Sequence, residues 1–196
     1  MKSLRLLGLL IGLGVVLTAQ TVHLGQHVYI STEGPLNIAI DASLTMQRLE
    51  SDYVPFVVYM GGDEGVKANI SRENVILIYK NQEYRMPDIK DFRKEYRSDN
   101  RDMRFYENYY AGRESLILTQ MRTYHFQWDT DFFPARSTGR LVTDEIAVSG
   151  NIGFKSFLYF KNPGFEKGDV IAIKFFDKTD AEIWGACAVQ LGDIQK

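Results

Sequence analysis

From Gly150 to Asp177 apolar and other residues alternate along the chain with a period of two. Ile152, Phe154, Leu158 and Phe160 fall on one side of a first run, and Ile171, Ile173 and Phe175 repeat the pattern in a second. Successive side chains of a strand point to opposite faces, so this spacing predicts two strands and not a helix. Pro163-Gly164 lies between them: proline presets φ for one turn position, and glycine supplies the positive φ the next one needs. The expectation is a β-hairpin over 150–177, with the sheet built around it.

The N-terminus carries a separate message. Lys2 and Arg5 precede an apolar run, Leu6–Leu17, that contains only glycine besides aliphatic residues, and Ala19 follows. This three-part layout predicts a secretory signal peptide over 1–19, with a retained N-terminal anchor as the alternative. The run is shorter than the roughly twenty residues that span a bilayer as a helix, so no transmembrane helix is expected in the mature chain. No cysteine follows it to take a lipid anchor. Removing nineteen residues from 196 leaves 177, which suits one domain, 20–196, with a substantial core. The expected address is secreted or periplasmic.

Cleavage would take two basic residues and no acid, which moves the net charge from −2 to −4. A mildly acidic surface excludes nucleic acid as a partner, because phosphate binding needs a basic patch. Cys187 is the only cysteine, so no disulfide can form within the chain. It sits in the apolar run Ile183–Val189 and reads as an inert core thiol.

In chain order, residues 20–35 read as an extended leader with a short strand at Val28–Ile30. Leu36 to Leu49 alternates, with Asp41, Ser43, Thr45 and Gln47 on the face away from Leu36, Ile38, Ile40, Leu44 and Met46. That is a half-buried strand. Tyr53–Met60 is a strand that Pro55 pushes toward a strand start or an edge. Asn74–Tyr79 and Glu83–Met86 continue a meander. From Asp88 to about Gly112 the spacing changes to three and four, with Ile89, Phe92 and Tyr96, then Met103, Tyr106 and Tyr110. This predicts a short α-helical insertion, about residues 88–112, laid with its aromatic stripe on the sheet. It would cover Phe157, Tyr159, Ala172 and Phe176. Leu116–Met121 fits helix or strand equally.

Few residues suggest chemistry. Gly61-Gly-Asp-Glu64 is similar to the opening of the diguanylate cyclase signature, but Gly65 replaces the aromatic there and no α/β pattern surrounds it; a surface turn is expected. His23 and His27 are spaced for a metal only on a helix, which their segment does not form. Asp129-Thr-Asp131 lacks the glycine and terminal glutamate of an EF-hand loop. No Gly-x-Ser-x-Gly elbow occurs. No cofactor, metal site or catalytic residue is therefore assigned.

The aromatic stretch Tyr124 to Phe133 remains. Large rigid aromatics can stack on sugars or anchor a protein, or they can fill a gap between insertion and sheet. Tyr124, Phe126, Trp128, Asp129, Asp131 and Phe132 are the candidate contact residues, toward a protein or glycan of the cell envelope. Two other classes stay open. One is a periplasmic hydrolase using His125 with nearby acids such as Asp129 or Asp131. The other is a carbohydrate-binding module presenting loop 124–133.

The strand at Tyr53–Tyr59, the strand Asn74–Tyr79 with its turn and Glu83-Tyr84, and Gly150-x-x-x-Phe154 leading to Gly168–Phe175 together resemble the immunoglobulin-like domains of small secreted bacterial antigens and lipoproteins. The likeness covers about half of the mature chain, and the stretch Asp88–Glu145 departs from it. It implies a sandwich used for binding, with no catalytic residues to carry over. The expected fold is thus mainly β: an antiparallel immunoglobulin-like β-sandwich with a short α-helical insertion, serving as an exported non-enzymatic binding or envelope-associated accessory protein.

Overall fold

The structure, a computed structural model, describes residues 20–121, 125–128, 144–149 and 152–192. Residues 1–19, expected to be a signal peptide, lie outside these. In chain order the strands are β1 (Val22–Gly25), β2 (Val28–Ser31), β3 (Leu36–Asp41), β4 (Tyr53–Gly62), β5 (Lys67–Ser71), β6 (Val75–Tyr79), β7 (Gln82–Arg85), β8 (His125–Trp128), β9 (Glu145–Ser149), β10 (Ile152–Lys161), β11 (Val170–Phe176) and β12 (Trp184–Gln190). The helices are α1 (Ser43–Met46), α2 (Ile89–Glu95), α3 (Asp99–Tyr109) and α4 (Glu114–Met121).

The strands form two sheets. The larger runs β1-β2-β3-β4-β10-β9-β5, with β8 also alongside β10, and the smaller runs β12-β11-β6-β7. Every pairing is antiparallel except β8 with β10. Ile38, Ile40, Phe56, Val58, Phe160, Leu77, Ile173 and Cys187 fill the space between the sheets. The chain is mainly β with a few short helices, an arrangement compatible with an immunoglobulin-like sandwich.

The other face of the larger sheet is buried too. Tyr53, Val57, Tyr59, Phe157 and Tyr159 meet Phe92 of α2, Tyr106 of α3, and Ile117 and Met121 of α4. The stripe spacing therefore worked as expected, and the insertion extends through α4 to Met121, so 116–121 is helix. Asp88 opens α2 by accepting from the backbone N–H groups of Lys90 and Asp91, which satisfies donors that a helix start leaves without partners.

Three expectations need correction. First, β10 and β11 are not a hairpin: β10 pairs with β4, whereas β11 pairs with β6 and β12 in the other sheet. Gly164 does take the positive φ the turn requires, +95°. The side-chain oxygen of Asn162 accepts from the N–H of Gly164 and Phe165, and its amide donates to Leu49 and Ser51. That knot turns the chain from one sheet to the other, with Phe165 5% exposed beside Phe56 and Tyr79. Consequently Phe157 and Tyr159 lie under the helices, but Ala172 and Phe176 sit half-buried on the smaller sheet. Second, β3 stops at Asp41 and Leu44 sits on α1. Asp41 accepts from the Ser43 N–H and starts that turn. Third, residues 22–31 are no leader: β1 and β2 form a hairpin with β2 wholly buried. Gln26 and His27 hold φ of 51° and 64°, the paired positive values of a two-residue hairpin turn. His23, on β1, lies with its ring tilted against Tyr29 at 4.8 Å between centroids, and His27 stands in the turn.

Candidate functional site

The helix layer brings hydroxyls to a buried face. Tyr59 and Tyr159 rise from the sheet, Tyr106 comes from α3, and Tyr96 follows α2. A buried phenol needs a partner for its O–H. Two carboxylates, Asp41 and Asp102, each 0% exposed, provide acceptors.

At the first, Tyr106 donates to Asp41 Oδ2 at 3.0 Å, and Arg113 Nη1 donates to both oxygens at 2.9 and 3.2 Å. The Tyr59 and Tyr106 oxygens are 2.7 Å apart. Since Tyr106 gives its single proton to Asp41, Tyr59 is the donor between them. At the second, Arg48 reaches Asp102 Oδ1 through Nε and Nη2 at 2.9 and 2.8 Å. Tyr96 and Tyr159 donate to Oδ2.

Burial, and then the neighbouring carboxylate, push the pKa values of Tyr96, Tyr106 and Tyr159 upward. Burial is also the main cause of the upward shift at Tyr59, against the lowering effect of its bond to Tyr106. For Arg48 burial works downward, but the hydrogen bond and charge of Asp102 outweigh it and the net direction is up. The four phenols thus remain proton donors across the physiological range. Each carboxylate has its own guanidinium, which is how a buried charge is tolerated.

Above the first carboxylate opens a groove of about 560 Å³ between the β1–β2 turn and the α3–α4 junction. Leu24, Val28, Tyr109 and Leu116 supply apolar walls, with Gln26 on the rim and Arg113 at the floor. Tyr109 is 70% and Leu116 42% exposed. Arg113 lies 4.4 Å over the Tyr110 ring. Its hydrogen bonds to described residues all leave from Nη1, so Nε and Nη2 keep donor capacity toward solvent. The size and composition match a small-ligand pocket: apolar walls with few convergent polar groups. A larger cleft, about 870 Å³, lies at the corner where β7 passes into α2. Among the described residues no cluster of His, Cys, Asp and Glu is arranged to hold a metal.

Of the contact residues expected from sequence, Phe126 and Trp128 fall among the described residues. Phe126 is a core side chain, 2% exposed and edge-on to Tyr59 at 5.1 Å. It offers no contact surface, because it sits on β8 directly opposite Gly153, in space that only a residue without Cβ leaves open. A Cβ on Gly153 would stand 2.8 Å from the Phe126 ring and 2.2 Å from the Met60 carbonyl oxygen. Trp128 ends the same strand, and exposed His125 starts it. Tyr124, Asp129, Asp131 and Phe132 lie outside the described residues, as do the acids proposed to work with His125.

Asp41, Asp102, Arg48 and Arg113 were not legible as a set, since sequence separations of 54 and 72 divide the paired residues. Asp41 had been expected on a wet face. The available signal was a stripe of tyrosines with acids one turn away on α3. Comparison of the chain with protein-family models, with curated proteins and with solved structures found no match.

Proposed function

We propose that this chain is an exported, non-enzymatic binding or envelope-associated accessory protein, secreted or periplasmic, and that the groove floored by Arg113 is its ligand surface. One observation carries this reading: a guanidinium fixed through Nη1 by a buried carboxylate, with no bond from its other nitrogens to described residues, lines a groove walled by Leu24, Tyr109 and Leu116. A donor held in advance loses little freedom on binding, and apolar walls supply the affinity. The tyrosines and acids beneath are closed on one another and on arginines, an arrangement that suits holding a shape more than moving protons. The apolar leader and its Ala19 boundary support export.

Two measurements test the proposal. The mass of protein recovered outside the cytoplasm should correspond to a start at Gln20. Two-dimensional NMR of the 15N-labelled protein, titrated with a soluble envelope fraction, should shift backbone signals at 24–28 and 109–116. Tyr109→Ser with Leu116→Ser should abolish those shifts. Shifts centred on 124–133 would move the ligand surface to the aromatic stretch, and chemical turnover of the ligand would replace binding by hydrolysis.

A further inference from the structure

The larger cleft differs from the groove in chemistry. Its lining brings together Arg72, Arg85, Lys90, Arg93 and Lys178 from four stretches of chain. Several of these are already engaged. Arg72, 9% exposed, gives Nη2 to the Pro87 carbonyl at 2.7 Å. Lys178 is paired with Glu145, and Arg85 Nη1 is held by the Glu73 carbonyl. Lys90 and Arg93 are not: among the described residues neither side chain has a hydrogen-bond or ion-pair partner, and Arg93 Nε is a buried donor without an acceptor there. The two lie three residues apart on α2, where side chains at that spacing share one helix face. A buried N–H without a partner costs free energy that an incoming acceptor would return. Arg85 keeps its remaining guanidinium donors beside them, and Met86, Pro87 and Ile89 form an apolar wall.

The four acids of the cleft are directed largely away from Lys90 and Arg93. Asp88 turns Oδ1 to the backbone of Lys90 and Asp91, Glu145 is paired with Lys178, and the charge of Glu73 acts on that same lysine. Burial lowers the pKa of Arg72, and Asp144 and then Asp88 act against that shift without reversing it, so the fields of both acids fall on that arginine. We propose that this cleft is a second binding site, independent of the groove, for a small ligand bearing an oxyanion, carboxylate or phosphate, held by Lys90, Arg93 and Arg85. The guanidinium forks suit the paired oxygens of either group, and about 870 Å³ admits a ligand with an apolar part against Met86 and Ile89.

The test uses protein expressed from its full-length sequence and 15N-labelled, with inorganic phosphate and citrate as probes at constant ionic strength. The Arg93 Nε–H signal should shift saturably with at least one probe. Phosphate alone would assign the site to phosphoryl ligands, and citrate alone to carboxylates. Lys90→Ala with Arg93→Ala should weaken binding roughly tenfold or more, as expected for losing charge-assisted bonds, while the unfolding midpoint stays within error. Lys94→Ala, an exposed cation of the same helix outside the cleft, should leave affinity unchanged. A shift that grows linearly without saturation, or equal weakening by Lys94→Ala, would reduce the site to general charge attraction and overturn the proposal.

Discussion

Replacing Arg48 by Met should expose how the helix layer is held. Arg48 is the only guanidinium on Asp102 in the described structure, reaching Oδ1 through two nitrogens at 2.9 and 2.8 Å. Asp102 has no solvent exposure, while the Arg48 side chain keeps 24%. Removing one partner of a buried pair leaves an uncompensated charge, at a cost of about 3–5 kcal/mol. Two phenol donors, Tyr96 and Tyr159, remain on the carboxylate, which puts the expectation at the lower end, about 3 kcal/mol. For a domain of this size that lowers the unfolding midpoint by roughly 6–12 °C. Asp102→Asn alone should cost less, because Arg48 can turn to water and the amide oxygen still accepts from the tyrosines. In the double variant neither charge is stranded, so urea unfolding followed by circular dichroism should give a total below the sum, by about 1–3 kcal/mol. Additive single effects would refute the idea that the Arg48–Asp102 pair is energetically coupled.

Three shorter predictions follow from the same geometry. Asp177 receives the N–H groups of Asn69, Thr179 and Asp180 and the Thr179 hydroxyl; burial works upward, but these bonds prevail and hold its pKa down to about 2. A depressed carboxylate stabilises the fold above its unfolded pKa and loses that contribution as pH falls toward the folded one. The stability difference between parent and Asp177→Asn should thus be at most about 2 kcal/mol near neutrality and vanish in acid denaturation series near the folded pKa. Gly153→Ala should lower stability by about 2–3 kcal/mol, read as a loss of several degrees in melting temperature, because the methyl group meets backbone at Met60 as well as the Phe126 ring; an unchanged midpoint would contradict the close approach of β4 and β8 to β10 at this glycine. Cys187 is fully buried with its thiol pKa pushed up by burial, so thiol reagents should fail to label it until denaturant unfolds the chain.

Strand identity was readable in the long alternating runs, whereas the five-residue β5 and β9, which alternate in the same way, offer too few positions to stand out. The alternation in 152–160 and 171–175 identified β10 and β11, and the stripe at Phe92, Tyr96 and Tyr106 placed helices on a sheet. Pairing was not readable, because both strands are apolar at alternate positions whether they neighbour each other or lie in opposite sheets. The deciding residue was Asn162, whose side chain shapes the crossing from one sheet to the other, and a side-chain role of that kind leaves no periodic trace. Asp41 misled for a related reason. A polar residue in an alternating strand reads as solvent-facing unless a cation from elsewhere covers it, and Arg113 arrives from 72 residues away.

The two buried ion pairs also explain why the groove lies where it does. An aromatic layer alone can slide on a sheet, since ring contacts tolerate many offsets. Arg48–Asp102 links the segment after α1 to α3, and Asp41–Arg113 links the end of β3 to the α3–α4 junction. Two fixed points separated along one helix layer remove both translation and rotation, because any shift would strand a buried carboxylate without its cation. The α3–α4 junction must then stand over the end of β3, beside the β1–β2 turn that gives the Ser43 hydroxyl its acceptor at Gln26. Tyr109 and Leu116 are left facing that turn across an open gap. The groove is therefore a geometric result of satisfying Asp41. Arg113→Leu together with Asp41→Leu should keep the sandwich while letting the helix layer shift, and amide exchange in 99–121 should speed up selectively; uniform exchange rates across both layers would contradict this account.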